Sequence, residues 1–206
     1  MSLYLSAVKY NLRFNLLPHI VAAAGLLMLT PVLFGITALD AMTVSYPLEL
    51  SLPFLGVILL TPIYSSEQEP GILDAVRVRK TPYLLICGIR IIMAAVLMFM
   101  FICGFVLLMS AMESEVSAAH APAAFANAVF LGGLGILASA ISGNVVIGYM
   151  VPVLYFVLDL MGSLGSFTMF SMMRHGTMDN KWILLIIGIC CIVASIWSRY
   201  ISMNRE

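Results

Sequence analysis

Apolar residues dominate the chain in long, nearly unbroken runs, and the charges collect in the short stretches between them. A helix needs about 20 mostly apolar residues to cross the roughly 30 Å hydrocarbon core of a bilayer. The runs at 16–39, 47–64, 83–112 and 182–200 have that length. Between 121 and 164 the chain stays apolar for twice one span, so it must fold back. Ser142, Gly143 and Asn144 carry the turn signal there, giving spans at 121–141 and 145–164. The pattern predicts an all-α, polytopic membrane protein with about six spans in a single transmembrane domain covering 1–206. The longest connections, 65–82 and 165–181, are too short to fold alone around a core of their own.

The first fifteen residues read differently. As a helix, Tyr4, Val8 and Leu12 share one face, with Ser2, Ser6, Lys9 and Arg13 on another, the pattern of a short helix lying on the membrane surface. A frayed basic tail is the alternative. Basic residues then set the orientation. Lys9 and Arg13 precede span one, Arg77, Arg79 and Lys80 lie between spans two and three, and Arg199 and Arg205 end the chain. The loops after spans one and three carry no Lys or Arg, whereas the loop before span six carries Arg174 and Lys181. The positive-inside rule places both termini and the 65–82 connection in the cytoplasm, with the plasma membrane of a bacterium as the expected location. Tyr46, Tyr64, Tyr83, Trp182, Trp197 and Tyr200 fall at span ends, where interfacial aromatics are expected.

Composition reinforces this picture. Only 10% of the 206 residues are charged, 62% are hydrophobic and the mean hydropathy is +1.07, far from the roughly one-quarter charged residues of soluble domains. The net charge of zero gives no reason to expect nucleic acid as a partner. Cys87, Cys103, Cys190 and Cys191 all fall in apolar runs without a CxxC or a Cys/His cluster, and read as small buried hydrophobes. Gly135, Ser139 and Gly143 recur every fourth residue and predict a close helix contact.

Catalytic chemistry is sparse. His19, His120 and His175 are scattered, with no HExxH, GxSxG or acidic pair on one helix face, so no catalytic or metal-binding residue is expected. None of Lys9, Lys80 and Lys181 follows a phosphate-cradling glycine pattern, so any ATP must be bound by another chain. The most informative segment is 67–82. Glu67 and Glu69 favour the positive end of a helix whose first turn tolerates Pro70, and Arg77, Arg79 and Lys80 fall toward its other end. Ile72, Leu73 and Val76 form an apolar ridge beside these charges, suited either to a groove on a partner or to lipid headgroups.

This segment resembles one in a known family. Glu67, Glu69, Gly71, Leu73 and Asp74, followed by Pro82, Gly88 and Arg90, are similar to the stretch between the second and third spans of type-2 ATP-binding-cassette exporter permeases. Ile72 stands where the family commonly has Thr, Arg90 where it has Lys, and Pro82 lies late. The resemblance implies that 67–82 is a coupling helix on an ATPase subunit, with Glu67, Glu69, Gly71, Ile72, Leu73, Asp74, Val76, Arg77 and Pro82 as coupling residues. It further implies two ATPase subunits that bind ATP and Mg, a second membrane subunit, identical or not, and no cofactor held by this chain.

Inside the spans, charge is expensive and usually faces protein or a cavity. Asp159 is the deepest acidic residue; with Tyr155 it is a candidate for the substrate path, or else a carboxylate bonded to a neighbouring helix. Glu49 and Arg90, near span ends, are expected to snorkel to the interface. The expected function is that of an exporter permease. The same residues also fit a membrane scaffold without transport of its own, and less well an intramembrane enzyme.

Overall fold

A computed structural model describes residues 16–67, 83–162, 168–178 and 180–205. All regular structure among them is helical: α1 (Leu17–Phe34), α2 (Ser45–Leu50), α3 (Pro53–Leu60), a 3-10 helix (Thr61–Glu67), α4 (Tyr83–Ala111), α5 (His120–Ser142), α6 (Val145–Leu160), α7 (Ser171–His175) and α8 (Lys181–Arg205). The chain is a polytopic all-α membrane protein. Among the described residues, five helical stretches are long and apolar enough to cross a bilayer: Leu17–Phe34, Ser45–Ser65, Ile86–Ala111, His120–Ser142 and Lys181–Ile201. The expected interfacial helix at 1–15 lies outside the described residues, as does all but the first residue of 67–82.

α6 departs from the expected fifth span at 145–164. It has 16 residues, about 24 Å at 1.5 Å per residue, which falls short of the hydrocarbon core. It stops because the chain turns at Gly162, in the left-handed region at φ 79°, and because Arg174 occupies its last carbonyls. The guanidinium donates to the oxygens of Asp159 (2.9 Å) and Leu160 (3.2 Å), as a cation at a helix C-terminus should. The first span is likewise shorter than 16–39, ending at Gly35 with φ 70°. The second is segmented, since α2 gives way at Ser51 and Leu52 to α3, which starts on Pro53.

α5 is the centre of the bundle, packed chiefly against α8, α3 and α6. Glycines permit this. A methyl group built on Gly56 would lie 1.8 Å from the Ala128 carbonyl oxygen, and one on Gly133 would lie 2.6 Å from that of Gly188. Backbones therefore meet directly, which is how membrane helices gain packing energy without a hydrophobic drive. Gly135 and Ser139 do make such a contact, against Gly148 and Thr61. Gly143 does not. It has no neighbour among the described residues within 4 Å of a built Cβ and instead ends α5 at φ 65°, after which Asn144 caps α6 by accepting from Val146 N at 2.8 Å.

Contacts between helix ends define two distinct ends of the bundle. One gathers Tyr64, Arg90, the 143–144 turn and the last turns of α8: Tyr64 Oη lies 3.2 Å from Ser195 Oγ, and the Arg199 guanidinium lies 5.3 Å from the Tyr64 ring centre. Tyr64 is thus buried, while Trp182 and Trp197 are exposed. No disulfide forms among the described residues; Cys87 is buried, but Cys190 faces outward rather than into the core. The other end holds the connections after α1, α4 and α6.

Candidate functional site

At that second end, three charged side chains and one amide, from four helices, converge on one inserted segment. Glu49 comes from α2, Asn127 from the first half of α5, Asp159 from the last turn of α6, and Lys181 opens α8. All four are at most 1% exposed. Lys181 Nζ lies 2.5 Å from Glu49 Oε1 and 3.1 Å from Asn127 Oδ1, and it also donates to the carbonyl oxygen of Met169. Asn127 Nδ2 donates to the same carbonyl at 3.0 Å. The Met169 N–H donates to Asp159 Oδ2 at 2.6 Å. Glu49 completes its shell by accepting from the N–H groups of Met172 (3.1 Å) and Met173 (2.9 Å) in the first turn of α7, where a carboxylate also suits the helix dipole.

The described part of this connection, 168–178, is therefore not simply a solvated loop. Thr168, Met169, Phe170, Ser171 and Met172 are buried. Phe170 packs on Phe156 at 5.4 Å between ring centres, and Phe156 on Phe54 at 4.7 Å. The segment fills the depth that the short α6 leaves open, and its backbone polar groups, which lipid cannot satisfy, are bonded by side chains instead.

Two expectations about charge are corrected here. Glu49 does not snorkel: it is an internal ion-pair partner. Lys181 is not a loop residue. Moving two such charges out of water is unfavourable unless they meet each other and their remaining bonds are filled, as they are here. Lys181 and Arg174, the latter bound to carbonyl oxygens at the end of α6, match the two carboxylates Glu49 and Asp159 in number, so the formal charges of the group cancel.

Of the other sequence-derived candidates, Asp159 lies in this group, whereas Tyr155 sits a turn earlier in α6 and packs edge-on against Phe130 at 4.9 Å. Arg90 is half-buried and donates to the Ile63 carbonyl at 3.5 Å. Glu67 ends the 3-10 helix. Glu69, Gly71, Ile72, Leu73, Asp74, Val76, Arg77 and Pro82 lie outside the described residues. Sequence reasoning missed Glu49, Asn127 and Lys181 as a group. The available signal was two opposite charges at the same depth on different spans, with an Asn in an otherwise apolar stretch of α5. Among the described residues no three His, Cys, Asp or Glu side chains gather so as to hold a metal ion.

The role of Asp159 follows from its bond to Met169. Asp159→Asn keeps an acceptor for that N–H and is expected to fold and assemble. Asp159→Leu strands a buried donor and is expected to lose about 1–3 kcal/mol of stability, read by unfolding in detergent. An Asn variant that folds normally yet loses the protein's activity would move Asp159 from a packing role to a functional one. Comparison of the chain with protein-family models, curated proteins and solved structures gives no match.

Proposed function

We propose that this chain is the membrane-spanning permease subunit of an ATP-driven exporter of the ATP-binding-cassette class, lying in a bacterial plasma membrane with both termini cytoplasmic. ATP and Mg would be held by two separate ATPase subunits, and a second membrane subunit, identical or different, would complete the path. The carrying observation is the 67–82 segment, with an acidic start, an apolar ridge and a basic end, in the order that resembles the family's coupling helix. The fold supports this reading by what lies next to the segment. The 3-10 helix that leads into it packs on α3, α4, α5 and α6, and reaches α8 through Tyr64 and Ser195. A displacement applied at Glu67 would reach most of the bundle within one turn of helix.

Two substitutions test the proposal. Apolar side chains that stay wet forgo about 25 cal/mol per Å² of burial, so the ridge of Ile72, Leu73 and Val76 gains by entering a groove. Leu73→Asp is expected to weaken ATPase association by roughly tenfold to a hundredfold while leaving membrane insertion intact, since no span is touched. Glu69→Lys is expected to weaken the same association although it strengthens attraction to anionic lipid, which separates docking on protein from docking on headgroups. The readouts are ATPase co-purification and membrane-stimulated ATP hydrolysis. Wild-type behaviour of both variants would remove the transporter reading and leave a scaffold.

A further inference from the structure

We propose that residues 168–178 form a releasable strap that locks spans two, four, five and the last span together at one end of the bundle, with the Glu49–Lys181 pair as its latch. The strap is held in an uncommon way. Its buried backbone groups bond to side chains rather than to a neighbouring helix or strand: Met169 N–H to Asp159, Met169 C=O to Lys181 and Asn127, and the N–H groups of Met172 and Met173 to Glu49. Each of these four side chains belongs to a different span. The strap's seat therefore exists only while the four spans hold their present spacing.

The converse also holds. If the strap leaves, Lys181 loses its carbonyl partner and Glu49 loses two donors, so both ends of a buried ion pair become undersatisfied. That state is unfavourable in a dry interior and is relieved when water enters between α2 and α8. Strap release and parting of the spans are then one event, which gives the bundle two discrete arrangements at this end rather than a continuum. Left-handed backbone on both sides supplies pivots: Gly162 at φ 79° before the strap, Gly176 at φ 65° and Asn180 at φ 65° after its buried part. The apolar anchors, Met169 and Phe170, would leave with it from their seat beside Phe156, Phe130 and Leu184. The strap rests on the geometry alone. Its consequence for export, opening of the end opposite the ATPase, rests on the proposed function.

Ser171 provides the probe. It is 2% exposed and its hydroxyl has no hydrogen-bond partner among the described residues, so Ser171→Cys removes no bond within them. In full-length protein in detergent, with the native cysteines replaced, we expect a polar maleimide to react slowly at Ser171→Cys and fast at Glu113→Cys, an exposed turn position. Adding Glu49→Gln is expected to speed reaction at Ser171→Cys about tenfold or more with no change at Glu113→Cys. A companion chain keeping only Cys87, which is fully buried, should stay protected with and without Glu49→Gln. Equal rates at Ser171→Cys and Glu113→Cys in the absence of Glu49→Gln would show that the segment is not inserted. An unchanged slow rate with Glu49→Gln would remove the latch. Parallel opening of Cys87 would mean general unfolding rather than strap release. If release occurs but ATP and the ATPase partner leave the Ser171→Cys rate unaltered, the strap stands and its link to export falls.

Discussion

Replacing Lys181 with methionine is expected to remove about 3–5 kcal/mol of stability, because it leaves Glu49 as a buried carboxylate without a counter-charge. The loss should far exceed what the same change does at an exposed lysine, where ion pairs contribute at most about 1 kcal/mol. Combining Lys181→Met with Glu49→Gln is expected to recover a large part of it, since the Gln carbonyl oxygen can still accept from one α7 N–H and no charge is stranded. The two single losses therefore sum to more than the double loss, which is the signature of directly coupled neighbours. Lys181→Arg is not a safe substitute: a planar fork cannot direct single donors to Glu49, Asn127 and the Met169 carbonyl as an ammonium does. Denaturing-detergent titration of the four chains closes the cycle. Additive effects, each below about 1 kcal/mol, would mean that the pair is solvated.

The same cluster shows where the sequence was legible and where it was not. Apolar run length located the spans, because lipid imposes the same requirement on every residue it touches. The fold-back at Ser142–Asn144 was visible since Gly143 and Asn144 each serve one helix end, a local matter. The segmented second span was less visible: Pro47, Pro53 and Pro62 sit in a run that stays mostly apolar across the break. Glu49 and Lys181 were read singly, as a span-end residue and a loop residue. Each is unfavourable inside lipid alone, and only the pairing of residues 132 positions apart makes burial tenable. Nothing in one helix's periodicity records such a partner. The strap was hidden for a related reason, since a connection that inserts looks in sequence like one that does not until its backbone groups are assigned acceptors and donors.

The depth of Asp159 adds a geometric lesson. Read as the interior of a span running to 164, it stood alone without a cation in its own helix. With α6 ending at Leu160, it lies in a terminal turn, where Arg174 and the Met169 N–H can reach the same stretch of chain. A difference of four residues in one helix end changes an isolated intramembrane charge into a member of a neutral group. Helix ends in apolar runs are set by tertiary partners such as Arg174, and run length does not report them.

The second large effect is expected at Gly56. α3 and α5 cross there with nothing between their backbones: a methyl group on Gly56 would lie 1.8 Å from the Ala128 carbonyl oxygen and 3.1 Å from the Ala128 Cα, and one on Gly132 would lie 2.6 Å from the Gly56 oxygen. The obstructing atoms are main chain in the middle of a 23-residue helix, so no side-chain rotation relieves them and the helices must part. Overpacking of a tight core loses about 1–3 kcal/mol and occasionally more; with backbone on both sides, Gly56→Ala is expected at or above the upper figure. Parting these helices also moves Glu49 away from Asn127, which Lys181 bridges, because α2 and α3 belong to one span and α5 carries the amide. Gly56→Ala should therefore raise reactivity at Ser171→Cys as well as lower stability. Gly25 in α1 is the control, exposed and with nothing within 4 Å of a built Cβ. There the same change should be neutral or stabilise by up to about 1 kcal/mol, the ordinary gain from replacing a helical glycine. The two variants differ by one methyl each and are predicted to move stability in opposite directions. Equal stability of Gly56→Ala and Gly25→Ala would contradict the direct backbone contact on which the central helix depends.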